Sequence, residues 1–354
     1  MPSAEKPGPT GEPALVAAAR AGDERAFRRL VEPLRGPIHS LCYQMLGSLH
    51  DAEDAYQESL LRAWRGIGSF DGRSSIHTWL HRVATNVCLD ALRRRTRRVV
   101  PLDYGPADES HARALETQWE PHIEPYPDGE LGVEDGYAGP EARYERREAI
   151  ELAFIASLQH LPARQRAVLI LRDVFAFSAA EVAATIGATV PAVNSALQRA
   201  RRTLEERLPE RSQQETLRAL GDERVRAVVE RFVAAFESAE IDTILGLLTD
   251  DATFAMPPFE EWSRGRDAVG DSWLMPTGPA GELRYVPTRA NGQTALGTYR
   301  IDPENGERFI PIALDVLALR PDGRIGQVVV FRSTEVFERF GLPASLGAAA
   351  SEPG

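Results

Sequence analysis

The residues from Pro101 to Glu141 divide this chain, because they are poorly suited to form a packed domain of their own. This stretch, PLDYGPADESHARALETQWEPHIEPYPDGELGVEDGYAGPE, holds 11 acidic residues against one arginine, with six prolines and five glycines. Proline and glycine interrupt regular structure, and no apolar period continues through the stretch. We therefore expect an acidic linker over 101–141, with separately folded segments on either side.

Charge and periodicity mark the flanking segments. Residues 15–100 carry 14 arginines and 9 acidic residues, and residues 143–208 return to a positive balance with a helical apolar pattern. The segment that follows shows two amphipathic helices and then strand-like runs, separated by turn signals such as PENGE and RPDGR. The pattern predicts three domains at 14–100, 142–209 and 221–340, the first two all-α and the third α+β.

The last helix predicted for the first domain ends in dense positive charge. In HTWLHRVATNVCLDALRRRTRR, residues 77–98, apolar side chains recur at helical spacing and five of the last six residues are arginines. We expect His81, Arg82, Thr85 and Asn86 on the face opposite the apolar stripe. Five neighbouring like charges repel one another, so the cluster favours nucleic-acid phosphate as its partner over a bare solvated helix end.

The preceding helix and loop complete a pattern that is more specific. The segment AEDAYQESLLRAWRGIGSFDGRSSIHTWLHRVATNVCLDALRRR resembles region 2 of the sigma-70 family of transcription initiation factors, and within it the extracytoplasmic-function (ECF) group. The resemblance implies that an acidic face docks on the β′ clamp of core RNA polymerase, formed by Asp51, Asp54, Gln57 and Glu58. The predicted apolar face of the same helix is Tyr56, Leu60, Leu61, Trp64 and Ile67.

The resemblance also implies that the helix at 77–98 meets the minus-ten promoter element. Trapping unstacked bases requires aromatic or hydrogen-bonding side chains beside a cationic track. The candidates are Phe70, Trp79, Arg82, Asn86, Arg93, Arg94 and Arg97. Phe70 and Trp79 are equally compatible with the hydrophobic core.

The segment 142–209 contains a predicted helix-turn-helix. Ser178 and Glu181 form a capping-box pattern, Gly187 fits a tight turn, and Thr189 is the candidate cap of a recognition helix near 191–204. Together with the preceding LQHLPARQRAVLILRDVF, the segment resembles sigma region 4, which implies contact with the polymerase β flap and the minus-thirty-five element.

The recognition helix is predicted to present one polar face. Its candidate DNA contacts are Asn194, Ser195, Gln198, Arg199, Arg201 and Arg202, and its predicted inner face is Val193, Ala196, Leu197 and Ala200. Asn194 and Ala196 stand where the ECF group usually has a lysine and an arginine. Two fewer cations predict a weaker and less salt-dependent grip on phosphate.

The third domain resembles the SnoaL-like, ketosteroid-isomerase-like family, in which helices and a curved sheet form a cone around a pocket. The matching stretch is AVVERFVAAFESAEIDTILGLLTDDATFAMP. The isomerase base and hydrogen-bond donor fall at Met256 and Phe232, and neither side chain supports that chemistry. We therefore expect no enzyme and no cofactor, with Phe232, Met256 and Trp262 as candidates for an apolar pocket that binds a small-molecule ligand.

The leading interpretation is an ECF-type sigma factor that binds core RNA polymerase and promoter DNA, with a C-terminal domain that modulates it in cis. The alternative is a conventional helix-turn-helix regulator with a ligand-sensing domain, and a DNA-binding isomerase or cyclase is a third reading. The linker is either solvated and disordered or threaded through a basic polymerase channel. The absence of CxxC or Cys/His clusters around Cys42 and Cys88, and of any run of about 18 apolar residues, predicts a cytoplasmic protein without a membrane partner.

Overall fold

The computed structural model describes residues 11–93, 122–131, 145–259, 262–274, 280–304, 306–332 and 334–347. The chain divides into two compact units, each assembled from separated stretches of sequence. Unit 1 comprises residues 1–96, 130–137 and 161–203, and unit 2 comprises residues 97–129, 138–160 and 204–354. The segment predicted at 142–209 is therefore shared between the two units.

Thirteen α-helices have bounds within the described residues. They are α1 (Glu12–Arg20), α2 (Glu24–Val31), α3 (Arg35–Leu46), α4 (Leu49–Gly66), α5 (Ile76–Leu92), α6 (Leu152–Gln159), α7 (Ala163–Leu169), α8 (Ala179–Ile186), α9 (Val190–Glu205), α10 (Gln213–Leu220), α11 (Asp222–Glu237), α12 (Ile241–Leu247) and α13 (Arg266–Leu274). A π-helical turn, Ile170–Val174, follows α7. None of the described helices is long and apolar enough to cross a membrane.

In unit 1, α3 is buried along most of its length and packs against α4 and α5, and α1 packs against α2. Local signals start these helices. The side chains of Asp23, Ser48 and Ser75 accept hydrogen bonds from backbone N–H groups in the first turns of α2, α4 and α5. Cys42 and Cys88 are free, buried thiols.

The helix-turn-helix is formed by α8 and α9, as predicted. Ser178 and Glu181 make both hydrogen bonds of a capping box at the start of α8. Gly187 ends that helix in the left-handed conformation, with φ of 64°. The Thr189 hydroxyl accepts a hydrogen bond from the Ala192 N–H at 3.4 Å, which confirms its place at the start of α9.

Unit 2 is built on a mixed sheet. Its strands are β1 (Leu248–Ala255), β2 (Trp262–Arg264), β3 (Leu283–Ala290), β4 (Gln293–Ile301), β5 (Arg308–Leu319), β6 (Ile325–Phe331) and β7 (Leu346–Gly347). The order is β2-β1-β6-β5-β4-β3, with β7 beside β5. The β1–β6 pair is parallel and the other pairs are antiparallel. The α+β prediction is therefore confirmed.

One face of this sheet forms the core of the C-terminal domain. Phe232 and Phe236 of α11 pack there with Tyr285 of β3, Leu317 of β5 and Val328 of β6. The side chains that alternate with these core residues lie on the opposite face of the sheet. Helices α12 and α13 add Ile244, Leu247 and Val269 to the same core.

Candidate promoter and polymerase interfaces

The predicted polymerase-binding face lies on α4. Asp54 and Gln57 are exposed, while Asp51 and Glu58 are half-buried. Leu61 continues the same stripe, three and four residues beyond Glu58 and Gln57, and is 51% exposed. The prediction that Leu61 belongs to the apolar face was wrong, because that face is already filled by residues such as Tyr56 and the leucine points to solvent beside the acidic groups.

A chain of ion pairs connects α4 to the end of α5. Arg62 Nε lies 2.7 Å from Glu58 Oε1, and Arg62 Nη1 lies 3.0 Å from Asp90 Oδ2. Arg93 Nη1 lies 3.2 Å from Asp90 Oδ1, and its side chain is 70% exposed. Exposed pairs of this kind contribute about 0–1 kcal/mol each, so Arg93 stays available to phosphate. Arg94 and Arg97 lie outside the described residues.

The candidate minus-ten contacts fall into two groups. Arg82 and Asn86 are exposed one turn apart on α5. Phe70 and Trp79 are buried, 6% and 7% exposed, with ring centroids 5.4 Å apart. For these two aromatics the structure favours the core alternative, and a contact with a promoter base requires the loop before α5 to move.

The expected positions of His81 and Thr85 were wrong. Both side chains are fully buried, because the residues between α7 and α8 cover that side of α5. The rings of Phe175 and Phe177 lie 4.8 and 5.2 Å from the His81 ring, and Thr78 donates a hydrogen bond to Glu181 at 3.4 Å. Burial, together with the neighbouring His77, lowers the pKa of His81 to about 3, so this histidine is neutral. Within unit 1 the helix-turn-helix is thus packed against the candidate minus-ten helix.

The recognition helix α9 has the predicted two faces. Val193, Leu197 and Ala200 are buried. Asn194, Ser195, Gln198, Arg199, Arg201 and Arg202 are exposed. Arg201 makes a two-pronged ion pair with Asp173 of the π-helical turn, with Nε and Nη2 at 2.9 and 2.7 Å from its oxygens. That pair ties α9 to the π-helical turn, a contact that the sequence alone did not reveal, although the Arg201 side chain is still 55% exposed.

Part of the linker is docked on the C-terminal domain in unit 2. Its residues Ile123 and Tyr126 are fully buried, and Pro127 pairs with Ala290 in an antiparallel β-bridge. The side chain of Asn291 accepts a hydrogen bond from the Tyr126 N–H at 2.9 Å, and the Asn291 N–H donates to the Tyr126 carbonyl at 2.8 Å. Asn291 itself is fully buried. Over these residues the linker is held in a specific conformation, not solvated.

The β3–β4 turn that carries Asn291 also contacts the chain at the start of α6. Asn291 Nδ2 donates to the Ile150 carbonyl at 2.7 Å, and Gln293 Oε1 accepts from the Leu152 N–H at 3.0 Å. The turn residues Asn291 and Gly292 both have positive φ, 55° and 68°, as the tight hairpin between β3 and β4 requires. This Asn-Gly pair is a strong hairpin signal in the sequence.

Asp128 and Gly292 complete the contact. Asp128 accepts from the Gly292 N–H at 2.7 Å and from Arg289 Nε at 3.0 Å. The Gly292 carbonyl accepts from Arg289 at 2.6 Å and from the amide of Gln214. We call the contacts of Tyr126, Pro127 and Asp128 with the 289–293 turn, and of that turn with Ile150, Leu152 and Gln214, the linker clasp.

Glu151 lies beside the clasp and ties α6 to α10. Its carboxylate accepts hydrogen bonds from the N–H groups of Gln213 and Gln214 at 2.9 and 2.7 Å, so it caps α10 from another element. The side chain is 3% exposed, and burial raises the pKa of Glu151 to about 7 against the lowering effect of these two hydrogen bonds.

The predicted apolar pocket residues are packed rather than open. Phe232 is fully buried, with ring centroids 4.5 Å from Phe236 and 5.5 Å from Tyr285, while Met256 and Trp262 are half-buried. Asp315 is buried on the same face of the sheet, and burial raises its pKa to about 7. Its Oδ1 has no hydrogen-bond partner within the described part of the chain.

Comparison with known families defines the class of the protein. Residues 30–98 match sigma-70 region 2, residues 147–204 match sigma-70 region 4, and residues 229–328 match the SnoaL-like domain. Two sigma modules in this order, on the helices described above, define a transcription initiation factor that directs RNA polymerase to promoters. A conventional helix-turn-helix regulator is therefore not favoured.

Individual relatives narrow the class. The chain is 42% identical over 330 residues to the ECF RNA polymerase sigma factor SigG of Mycobacterium tuberculosis, covering 92% of this chain and 86% of that protein. It is 32% identical over 169 residues to the ECF sigma factor SigM of the same species, covering 48% of this chain and 70% of that protein. The chain therefore belongs to the ECF group of sigma factors.

A solved structure shares the fold. The crystal structure of the M. tuberculosis ECF sigma factor SigJ aligns with a TM-score of 0.54 at 23% identity, covering 88% of this chain and 98% of that one. At this identity the likeness concerns the fold alone.

Proposed function

We propose that this ECF sigma factor binds the β′ clamp of core polymerase through α4 and the β flap through its region 4 module, and reads promoter DNA with α5 and α9. The exposed stripe of Asp54, Gln57 and Leu61 supports the clamp contact, since it combines charge with one apolar anchor. The exposed face of α9 supports DNA binding. Such a protein works in the cytoplasm, with the polymerase.

We further propose that the C-terminal domain regulates initiation in cis by holding the linker. The observation that carries this proposal is the fully buried Asn291, whose side chain bonds the Tyr126 main chain of the linker and the Ile150 carbonyl before α6. Burying an amide is costly unless its hydrogen bonds are made, so the site is complementary to the docked linker.

The linker cannot be docked on the C-terminal domain and threaded through a polymerase channel at the same time, because both states use the same main chain. Residues 122–131 cannot line a polymerase channel while Tyr126 and Pro127 are paired with the 289–293 turn. The clasp therefore favours a state in which the linker is withheld, and assembly of an active polymerase complex requires the clasp to open. Weakening it should raise the active fraction.

The experiment is promoter-dependent transcription with core polymerase and the Asp128→Ala variant. Asp128 belongs to the linker, so its removal leaves the C-terminal domain's own core intact, and it loses the bonds to Gly292 and Arg289. We expect more transcript at limiting protein than with the natural chain. Asp242→Ala is the matched control, because Asp242 is exposed on α12. Equal output from Asp128→Ala and the control would refute regulation by the clasp.

We infer that the C-terminal domain acts without catalysis. The positions that resemble the isomerase base and donor hold Met256 and Phe232, and Phe232 is locked in the aromatic core. In a regulatory role, the clasp at the surface of the domain binds the linker, and the interior of the domain serves only as a structural core. Turnover of a steroid-like or polyketide substrate by the purified protein would contradict this inference.

A further inference from the structure

A cavity of about 850 Å³ lies next to the clasp in unit 2. Its walls are the outer face of the sheet at β1, β5 and β6, the start of α6, and the segment 207–211 that joins α9 to α10. The volume is in the range of small-molecule sites in proteins. Neither Phe232, Met256 nor Trp262 lines it, so it is distinct from the predicted apolar pocket.

The floor of the cavity presents hydrogen-bonding groups. Thr253 of β1 and Gln327 of β6 are direct neighbours across the parallel strand pair, and both line the cavity. They lie on the outer face, because the adjacent residues Phe254 and Val328 belong to the core. The structure shows no hydrogen-bond partner for either side chain among the residues it describes, so both can bind a ligand.

The charged groups of the cavity favour an anion. Arg207, Arg211 and Arg320 line it, against Glu151 and Glu210. The Glu151 carboxylate is already used by the N–H groups of Gln213 and Gln214. Arg320 lies 3.4 Å from Asp251, and Arg207 lies 3.1 Å from His160. Arg211 has no ion pair within the described ranges, so its guanidinium is the group best placed to receive a carboxylate or phosphate.

The cavity shares residues with the regulatory contacts. Glu151, Gln213 and Gln293 all line it. The side-chain oxygen of Gln293 accepts a hydrogen bond from the Leu152 N–H. The Gln213 side chain accepts from the Leu319 N–H at 2.8 Å and donates to the Leu319 carbonyl at 2.9 Å. A molecule in the cavity would bridge segment 207–211 and the sheet, and would thereby hold the start of α6 and the 289–293 turn together.

We propose that this cavity is a binding site for a small anionic metabolite. Arg211 pairs with its carboxylate or phosphate, and Gln327 and Thr253 form hydrogen bonds with its other polar groups. Occupancy stabilises the closed clasp and so lowers sigma activity. The binding site stands on the cavity itself, whereas its regulatory effect rests on the function proposed above.

The test is calorimetric titration of the full chain with two probes, citrate for carboxylates and inorganic pyrophosphate for phosphates. We expect saturable 1:1 binding of at least one probe, weakened about tenfold or more in Arg211→Ala, which corresponds to about 1.4 kcal/mol. Gln327→Leu should weaken it severalfold. Arg226→Ala, which removes an exposed arginine of α11 elsewhere in the same unit, is the matched control and should bind like the natural chain.

Absence of saturable binding by both probes, or equal affinity in Arg211→Ala and Arg226→Ala, would overturn the site. The Asp128→Ala transcription assay separates the two proposals. If that variant raises transcription while neither probe binds, regulation by the clasp stands and the ligand site falls. If a probe binds through Arg211 but Asp128→Ala leaves transcription unchanged, the site stands without its regulatory role.

Discussion

Asn291 and Tyr126, which are 165 residues apart in sequence, exchange two hydrogen bonds inside unit 2. The side chain and the main chain of one asparagine thus pair with the main chain of the linker as a neighbouring strand would. A sheet turn that captures an extended segment in this way uses backbone groups for affinity. These bonds link the C-terminal domain of this sigma factor to the segment between its region 2 and region 4 modules.

The close approach at Gly292 should be sensitive to a single methyl group. A Cβ there would lie 2.7 Å from the Arg147 carbonyl oxygen and 2.9 Å from Gln214 Nε2. Gly306 has a similar φ, 64°, but open space around it, so Gly306→Ala measures the cost of the left-handed backbone alone. We expect Gly292→Ala to lower the free energy of unfolding by about 1–3 kcal/mol more than Gly306→Ala, measured by urea denaturation. Equal losses would mean that the turn does not contact region 4 closely.

Stability should fall as the pH rises toward neutrality. The pKa of Glu151 is raised from 4.5 to about 7 in the folded protein, so the folded state holds this proton more tightly than the unfolded chain. Its contribution is therefore complete below the unfolded pKa and is lost as pH rises through about 7. Burial raises the pKa of Asp315 from 3.8 to about 7, so this group changes the stability in the same direction.

Urea unfolding at several values between about pH 5 and about pH 8 measures this effect. Glu151→Gln should flatten the fall in stability, and Asp315→Asn should remove a separate part of it. Glu230→Gln, at an exposed position of α11, should keep the full slope. If the free energy of unfolding fell as steeply with pH in Glu151→Gln as in the natural chain, the Glu151 carboxyl group would have an ordinary pKa.

Leu61 should contribute to polymerase affinity without contributing much to stability. Because its side chain is 51% exposed, Leu61→Ala leaves little cavity and should change the free energy of unfolding by less than about 0.5 kcal/mol. Burial of that side chain against polymerase predicts roughly a fivefold loss of affinity, or about 1 kcal/mol. Ile241→Ala, at a 42% exposed site of unit 2, is the control and should bind core polymerase normally. Similar binding by both variants would place the interface elsewhere.

Two neighbouring arginines of α9 should behave differently. Arg199 is exposed and should contact phosphate, so Arg199→Ala should weaken promoter binding by the polymerase complex and reduce the salt slope by about 1. Arg201 is paired with Asp173, so Arg201→Ala should mainly lower the thermal midpoint of the chain. A larger loss of the salt slope in Arg201→Ala would reverse these assignments.

The parts that the sequence predicted well depend on local signals. The capping box at Ser178, the turn at Gly187 and the strand-like runs that form β3 to β6 are set by residues close together in the chain, and the structure confirms them. The buried apolar face and the exposed polar face of α9 likewise follow from the helical period of its own sequence.

The parts that the sequence missed depend on distant residues. The helical period of α5 predicts His81 and Thr85 on the solvent face. The sequence of α5 contains no signal for Phe175 and Phe177, about ninety positions later, which cover that face. The prolines and acidic residues of the linker predict a segment without a packed fold, because they carry no information about Asn291 as a partner. Arg201 is chemically indistinguishable in sequence from Arg199 and Arg202, and only the position of Asp173 separates them.

In the proposed mechanism, the linker must leave the clasp before initiation. Pro127 and Ala290 form a β-bridge, a spacing that suits a disulfide, and the native Cys42 and Cys88 are buried in unit 1. The measurement is promoter-dependent transcription by Pro127→Cys/Ala290→Cys, oxidised and then reduced, with each single-cysteine variant as control. We expect the oxidised protein to give little transcript and reduction to restore it. Full activity of the cross-linked protein would contradict it.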